Sequence, residues 1–230
     1  MAEFASGSLF FGAFLSLAAY GVGVFLRSRW KFALFNPLLV AIVLVVVVLV
    51  SFKIDYSTYM EGARYISYLL TPATVCLAVP LYQQFSLLKK NAKAVLLGIA
   101  AGVLASLTVI LAMSILFHLD HTMYVTLLPK SITTAIGIGV SGELGGIQSL
   151  TVVVIIITGV LGNIFAELIC KVFRITDPIA QGVGFGTASH VIGTSRATEL
   201  NPLAGAVSSL ALVVAGILTS VLFPLVLLIV

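Results

Sequence analysis

Six apolar runs, at about residues 8 to 26, 34 to 52, 64 to 82, 94 to 117, 147 to 170 and 203 to 229, leave this chain few ways to fold. Each is near the length of about 20 residues that carries an α-helix across roughly 30 Å of hydrocarbon. With 60% of residues hydrophobic, 9% charged and a mean hydropathy of +1.22, polar side chains are too few to cover a water-soluble globule, and lipid is the expected solvent. Backbone groups in lipid must pair within their own segment, and runs such as Val45 to Val50 do not alternate as barrel strands would. The expected fold class is all-α: a polytopic membrane protein with six clear transmembrane helices, in a single integral membrane domain over residues 1–230.

Two further segments, about 122 to 142 and 178 to 198, are long enough to enter the membrane yet rich in Gly, Ser and Thr, and they carry Lys130, His190 and Arg196. They are expected to be broken spans or re-entrant hairpins that face protein or water, because irregular backbone at membrane depth is tolerated only there. Basic residues set the orientation. Arg27, Arg29 and Lys31 follow the first run and Lys89, Lys90 and Lys93 follow the third, which places both loops in the cytoplasm and the N-terminus outside. The loop from Ser51 to Arg64 and the one around His118, Asp120 and His121 suit the outer face. Lys171 and Arg174 prefer the inside, favouring re-entry over a full crossing at 122 to 146. The N-terminal run lacks a basic start and reads as the first span rather than a leader.

An offset near 112 residues lays the run 38 to 50 over 149 to 160, and Ala94 to Ser106 over Ala206 to Thr219, a two-fold internal repeat with halves 1–117 and 118–230. In that frame Thr71 to Pro80 falls opposite the segment containing Gly186 to His190. Interrupted segments at matching positions of two halves point to a transporter's midplane site.

The chemistry gathers in Leu127 to Gly137. Pro129 is expected to open a helix, which puts Lys130, Ser131, Thr133 and Thr134 in its first turns, where unpaired N–H groups and the positive dipole end favour an anion. Lys130 adds a full charge, and the hydroxyls can donate to a carboxylate. An ionisable residue inside the membrane is a functional candidate by default. The competing reading has Lys130 snorkelling to a headgroup and the Thr hydroxyls bonding back to their own helix, but a Ser/Thr cluster beside the lysine is more than topology needs. The second stretch, Gly182 to Glu199, contributes Ser189, His190, Thr194 and Arg196. His190 is suited either to a proton-coupled process or to a structural role held by neighbouring hydroxyls. Arg196 and Glu199 are spaced for an ion pair as well as for an anion site. Glu143 reads as a solvated turn residue, and Asn163 as interhelical glue.

Other classes lack support. The basic residues form short topology clusters rather than a nucleic-acid surface, and Cys76 and Cys170 lie apart among apolar neighbours with no metal-ligand spacing. No phosphate-binding or dinucleotide motif appears, and Ser189 beside His190 cannot act as nucleophile and base by adjacency alone. Neither enzymatic activity nor a cofactor or metal is expected.

Three segments carry a resemblance. Pro72 to Tyr82 (Pro-Ala-Thr-Val-Cys-Leu-Ala-Val-Pro-Leu-Tyr), Leu128 to Ile136 (Leu-Pro-Lys-Ser-Ile-Thr-Thr-Ala-Ile) and Gly186 to Thr194 (Gly-Thr-Ala-Ser-His-Val-Ile-Gly-Thr) are similar to signature segments of the LrgB/CidB family, and the likeness covers essentially the whole chain. Ala135 stands where that family usually has Pro, and Cys76 where it usually has Ala. The resemblance implies a bacterial plasma-membrane protein of one of two kinds. One is an antiholin-like or holin-like modulator of murein hydrolase activity and cell lysis, acting with a smaller LrgA/CidA-type membrane partner. The other is a carrier of pyruvate-, lactate- or glycolate-like monocarboxylates. The family has no agreed catalytic residues, so the candidate site rests on the residues themselves. The favoured expectation is a homo-oligomeric, proton-coupled carrier of a small anionic substrate, with Lys130 as charge partner, Ser131, Thr133 and Thr134 as donors, and His190 as the titrating or orienting group.

Overall fold

The computed structural model describes residues 8–30, 36–69, 72, 75–76 and 78–227. Every regular element among them is a helix. Among the described residues four helices are long and apolar enough to cross a membrane, Phe11–Trp30, Ala92–Leu116, Gln148–Val172 and Pro202–Pro224, and Pro37–Ser51 is apolar but shorter. The chain divides into two compact units, Met1–Cys76 and Leu77–Val230.

In the first unit α1 (Phe11–Trp30) packs on α2 (Pro37–Ser51) and on α3 (Tyr56–Ser67). The Asn36 side chain accepts from Leu38 N at 2.9 Å and opens α2, with Pro37 in the first turn, where its missing N–H has no partner to lose. Helix α3 occupies most of the Ser51 to Arg64 stretch expected as a loop. Its polar composition conceals it from a search for apolar runs, and it is held to α1 by a hydrogen bond between Ser16 Oγ and the Tyr59 hydroxyl, 2.8 Å long. The N-terminal residues through Gly7, Lys31, and the residues Thr71, Ala73, Thr74 and Leu77 of the interruption expected in the first half lie outside the described residues.

The second unit contains α4 (Ala78–Gln83), α5 (Phe85–Lys90), α6 (Ala92–Leu116), α7 (His121–Leu127), α8 (Thr134–Glu143), α9 (Gln148–Val172), α10 (Pro178–Leu200) and α11 (Pro202–Leu227). Helices α6, α9 and α11 have 25, 25 and 26 residues, long enough at about 1.5 Å per residue to span the hydrocarbon. One stripe of α6 (Val95, Ile99, Val103, Leu107), at helical spacing, is buried against Val207, Ala211 and Ala215 of α11 and against Tyr124, Val125 and Leu128.

The chain between these long helices doubles back twice. Helix α7 is capped by Asp120, whose carboxylate accepts from Met123 N at 2.8 Å. After it, Lys130 N bonds back to Leu127 O (3.1 Å) and Ile132 N to Pro129 O (3.2 Å), while Thr133 is extended. These three-residue closures and the extended Thr133 postpone the helical ladder, so α8 opens at Thr134; Pro129, expected to open a helix, sits in the turn instead. Helix α8 then returns alongside. A methyl group on Gly137 would lie 3.6 Å from Pro129 Cβ, and Ile147, just past α8, donates its N–H to Thr126 Oγ1 at 2.8 Å.

Helix α10 reverses within its own length. Asp177 caps it, accepting from Ala180 N at 2.9 Å. Ser189 (φ −132, ψ 16) and His190 (φ 43, ψ −136) leave the helical region, and a methyl on Gly193 would lie 2.7 Å from Phe185 O. Eight residues of straight helix would separate those positions by about 12 Å. The first arm of α10 runs with α11, Gly182 against Ala204 and Gly186 against Ser208. The second arm runs against it, with Thr194 bonded to Ser208 and Thr198 packed on Gly205.

Candidate functional site

The two hairpins approach α9 from its opposite ends. Helix α8 runs antiparallel to the first half of α9: Ser141 Oγ lies 2.7 Å from Thr151 Oγ1, and a methyl on Gly137 would lie 2.5 Å from Ile155 Cδ1. The second arm of α10 runs along the other half. Ser189 rests on Gly162, Ile192 O accepts from Asn163 Nδ2 at 3.1 Å, and Arg196 bonds Glu167 at 2.6 Å. Ile155 is where they meet. Its side chain packs on the first hairpin, and its carbonyl oxygen lies 2.9 Å from His190 Nε2 on the second. A carbonyl only accepts, so Nε2 carries the proton in this bond and Nδ1 is left as the ring's basic nitrogen in the neutral form.

At the first tip Lys130 Nζ donates to Ser131 Oγ (2.8 Å) and to Ser106 Oγ of α6 (3.3 Å), and the two serine oxygens lie 3.3 Å apart. Beside them is a cavity of about 10 Å³ whose wall includes Ser106, Ser131, Thr187 of α10 and Thr219 of α11, roughly the room one water molecule needs. Hydroxyls from four separate elements converge there. Thr133 and Thr134 are half-buried at the start of α8. The base of this hairpin is tied by buried threonines and a serine: Thr151 Oγ1 donates to Thr126 O at 3.1 Å and pairs with Ser141, all three side chains being inaccessible.

At the second tip Ser189 and His190 are each only 3% exposed. Two glycines of α9 form their seat. A methyl on Gly159 would lie 2.7 Å from His190 Cε1, and one on Gly162 would fall on Ser189 Oγ. Thr194 Oγ1 donates to His190 O at 2.9 Å, so the Ser208 hydroxyl, 2.8 Å away, donates to Thr194. The backbone of His190 holds a left-handed φ that a residue with a side chain adopts at a cost of about 1–3 kcal/mol, which is a reason to look for a role in its imidazole.

Of the residues selected from sequence, Lys130, Ser131, Thr133 and Thr134 gather at the first tip and Ser189, His190 and Thr194 at the second. Arg196 is not brought to either. It lies further along the second arm, paired with Glu199 at 2.7 Å and with Glu167, which also bonds Lys171 at 3.0 Å. Ser106, Thr187 and Thr219 were not singled out. A signal for the first existed: Gly98, Gly102 and Ser106 recur every four residues along an apolar run, and this small-residue face admits Val183 and Thr187 of α10.

The model of the LrgB-like family matches residues 16–229. The chain belongs to the LrgB-like family. It is 36% identical over 218 residues to the antiholin-like protein LrgB of Bacillus subtilis (strain 168), covering 94% of each chain. It is 35% identical over 214 residues to the holin-like protein CidB of Staphylococcus epidermidis, covering 93% of each, and 38% identical over 212 residues to the uncharacterized protein YxaC of B. subtilis, covering 92% of each. No solved structure matches it. Two of the three segments that carry the likeness, Leu128 to Ile136 and Gly186 to Thr194, span the two hairpin tips, so membership of this helical membrane-protein family and the geometry of the site meet in the same residues.

Proposed function

We propose that the chain is a carrier of small organic monocarboxylates, of pyruvate, lactate or glycolate size, in the bacterial plasma membrane, with the anion held between the two hairpin tips. The observation that carries this reading is the convergence, at Ile155, of two hairpins entering from opposite ends of α9, one bringing Lys130 and the other His190. Lys130 neutralises the carboxylate, and the start of α8, with Ser131, Thr133 and Thr134, supplies further donors. Ser189 and His190 hold the other end of the substrate, and Thr194 steadies His190. The free Nδ1 of His190 takes up the coupled proton. Arg196 stays in its ion pairs and closes the base of the second hairpin.

In this reading both polar segments are re-entrant and the long helices around them are the spans. Gly98 and Gly102 of α6 face Val183 and Thr187 of α10, so α6 starts at the end of the unit where α9 stops. Lys89, Lys90 and Lys93 thus share an end with Lys171 and Arg174, and that end is cytoplasmic by its positive excess. The two-fold repeat belongs to the same proposal: α1 and α7 start at Phe11 and His121, α2 and α9 at Pro37 and Gln148, α6 and α11 at Ala92 and Pro202, offsets of 110, 111 and 110 residues. A smaller LrgA/CidA-type partner is drawn from the family likeness, and self-association is part of the same proposal.

A holin-like or antiholin-like regulator of lysis is the second reading, favoured by the names of the relatives. Such a protein needs no ammonium held between two serine hydroxyls at a hairpin tip. Liposomes containing the purified chain, with and without a pH gradient and the partner, separate the two. Saturable uptake of labelled pyruvate, lactate or glycolate with no release of trapped dye is expected; dye release without saturable uptake selects the holin-like reading.

A further inference from the structure

A much larger cavity, about 660 Å³, lies where α9 ends, α10 both begins and ends, and α11 begins. Its lining includes Cys170, Lys171, Arg174, Gln181, Phe185 and Asn201. The volume falls within the range of about 300–1,000 Å³ usual for small-molecule sites. Two cations and one carboxylate, Glu167, line it, and that carboxylate is already bonded to Lys171 and to Arg196. Arg174, in no ion pair among the described residues, is the cation of the lining left to meet an anion. Phe185, in the cavity's lining, belongs to a buried cluster with Ala197 and Ala204, against which the partly buried Ala166 packs. Ser189 lies one turn beyond Phe185 on the same arm, and its seat at Gly162 is eight residues, about 12 Å, along α9 from Cys170.

We infer that this cavity is the cytoplasmic mouth of the carrier, a first docking site where Lys171 and Arg174 gather a small carboxylate, with the Phe185 cluster as the barrier between it and the hairpin tips. The inference rests on the carrier reading above. Movement of the α10 hairpin relative to α9 opens the cluster, since both ends of that hairpin border the cavity, and it requires the Arg196–Glu167 pair at the cavity's edge to part.

Cysteine labelling combined with kinetics tests it. Cys76→Ser leaves Cys170 as the sole thiol. In oriented vesicles a membrane-impermeant maleimide is expected to label Cys170 from the cytoplasmic face alone, and saturating pyruvate to slow the labelling several-fold. Arg174 has φ 55, a conformation that Asn and Asp tolerate, so Arg174→Asn and Arg174→Asp preserve the turn. They are expected to raise the KM for uptake about threefold and about tenfold with kcat unchanged, the scale of a unit charge a few ångströms away in a wet cavity. Uptake absent from the parent protein overturns the carrier reading and this one with it. Normal uptake with Cys170 unreactive from the cytoplasmic face, labelling from the other face, or an unchanged KM in Arg174→Asp overturns the mouth alone.

Discussion

His190 Nε2 and the carbonyl oxygen of Ile155 lie 2.9 Å apart, and this one bond joins the tip of the second hairpin to the residue against which the first hairpin packs. Both elements therefore bear on the same turn of α9, and a displacement of either is felt by the other through a close-packed contact. Substitutions on either side of that junction separate what each contributes.

His190→Gly separates backbone from side chain. Glycine adopts the φ of 43 without strain, and Ile155 O keeps its place in the helical ladder of α9. The melting temperature in detergent is expected to hold or rise, while uptake falls at least tenfold. A destabilised His190→Gly protein with intact uptake would reverse the assignment of His190 from function to structure.

Lys130→Met removes the ammonium that bridges Ser106 and Ser131. Charge-assisted hydrogen bonds are worth about 1.5–3 kcal/mol, so uptake at low substrate concentration is expected to drop roughly ten- to hundredfold. Ser106→Ala removes one partner from the same ammonium, and its expected effect is smaller, about fivefold. Because Ser106 touches Lys130 from a helix otherwise devoted to packing, wild-type kinetics in Ser106→Ala would argue that the ammonium is only structural.

Gly162→Ala places a methyl on Ser189 Oγ. Overpacking of this kind costs about 1–3 kcal/mol, taken up by moving the hairpin tip, so uptake is expected to fall sharply while the protein still inserts and purifies. Gly184, where an added methyl would meet no atom within 4 Å, is the control: Gly184→Ala should be indistinguishable from the parent in both uptake and yield.

Thr151→Val and Ser141→Ala break the buried bond of 2.7 Å at the base of the first hairpin. Each is expected to cost about 1–2 kcal/mol, or about 2–8 °C in melting temperature for a chain of this size, with KM unaltered. The double variant should fall short of the sum, since the two hydroxyls lose the same bond; full additivity would mean that they act separately.

Much of this architecture was legible in the residues alone. Long apolar runs dictate helices because lipid offers the backbone no other partner, and Asp177-Pro178 reads as the helix start that the structure places at Pro178. Lys130, Ser131, Ser189 and His190 stood out because hydroxyls and charges have no reason to be in hydrocarbon. Other features were hidden. Helix α3 is too polar for an apolarity search, and the turn at Pro129 resembles a helix start because proline suits both. Residue order alone marks which segments are apolar enough to form helices in lipid and which side chains are chemically able to meet an anion. The direction of each segment and its neighbours came from tertiary packing: the reversal at Ser189–His190 exists because Gly159 and Gly162 leave room for it on α9 and Ile155 offers the carbonyl that holds it. Hydropathy records the surroundings each residue prefers, whereas direction depends on backbone groups finding partners some thirty residues away.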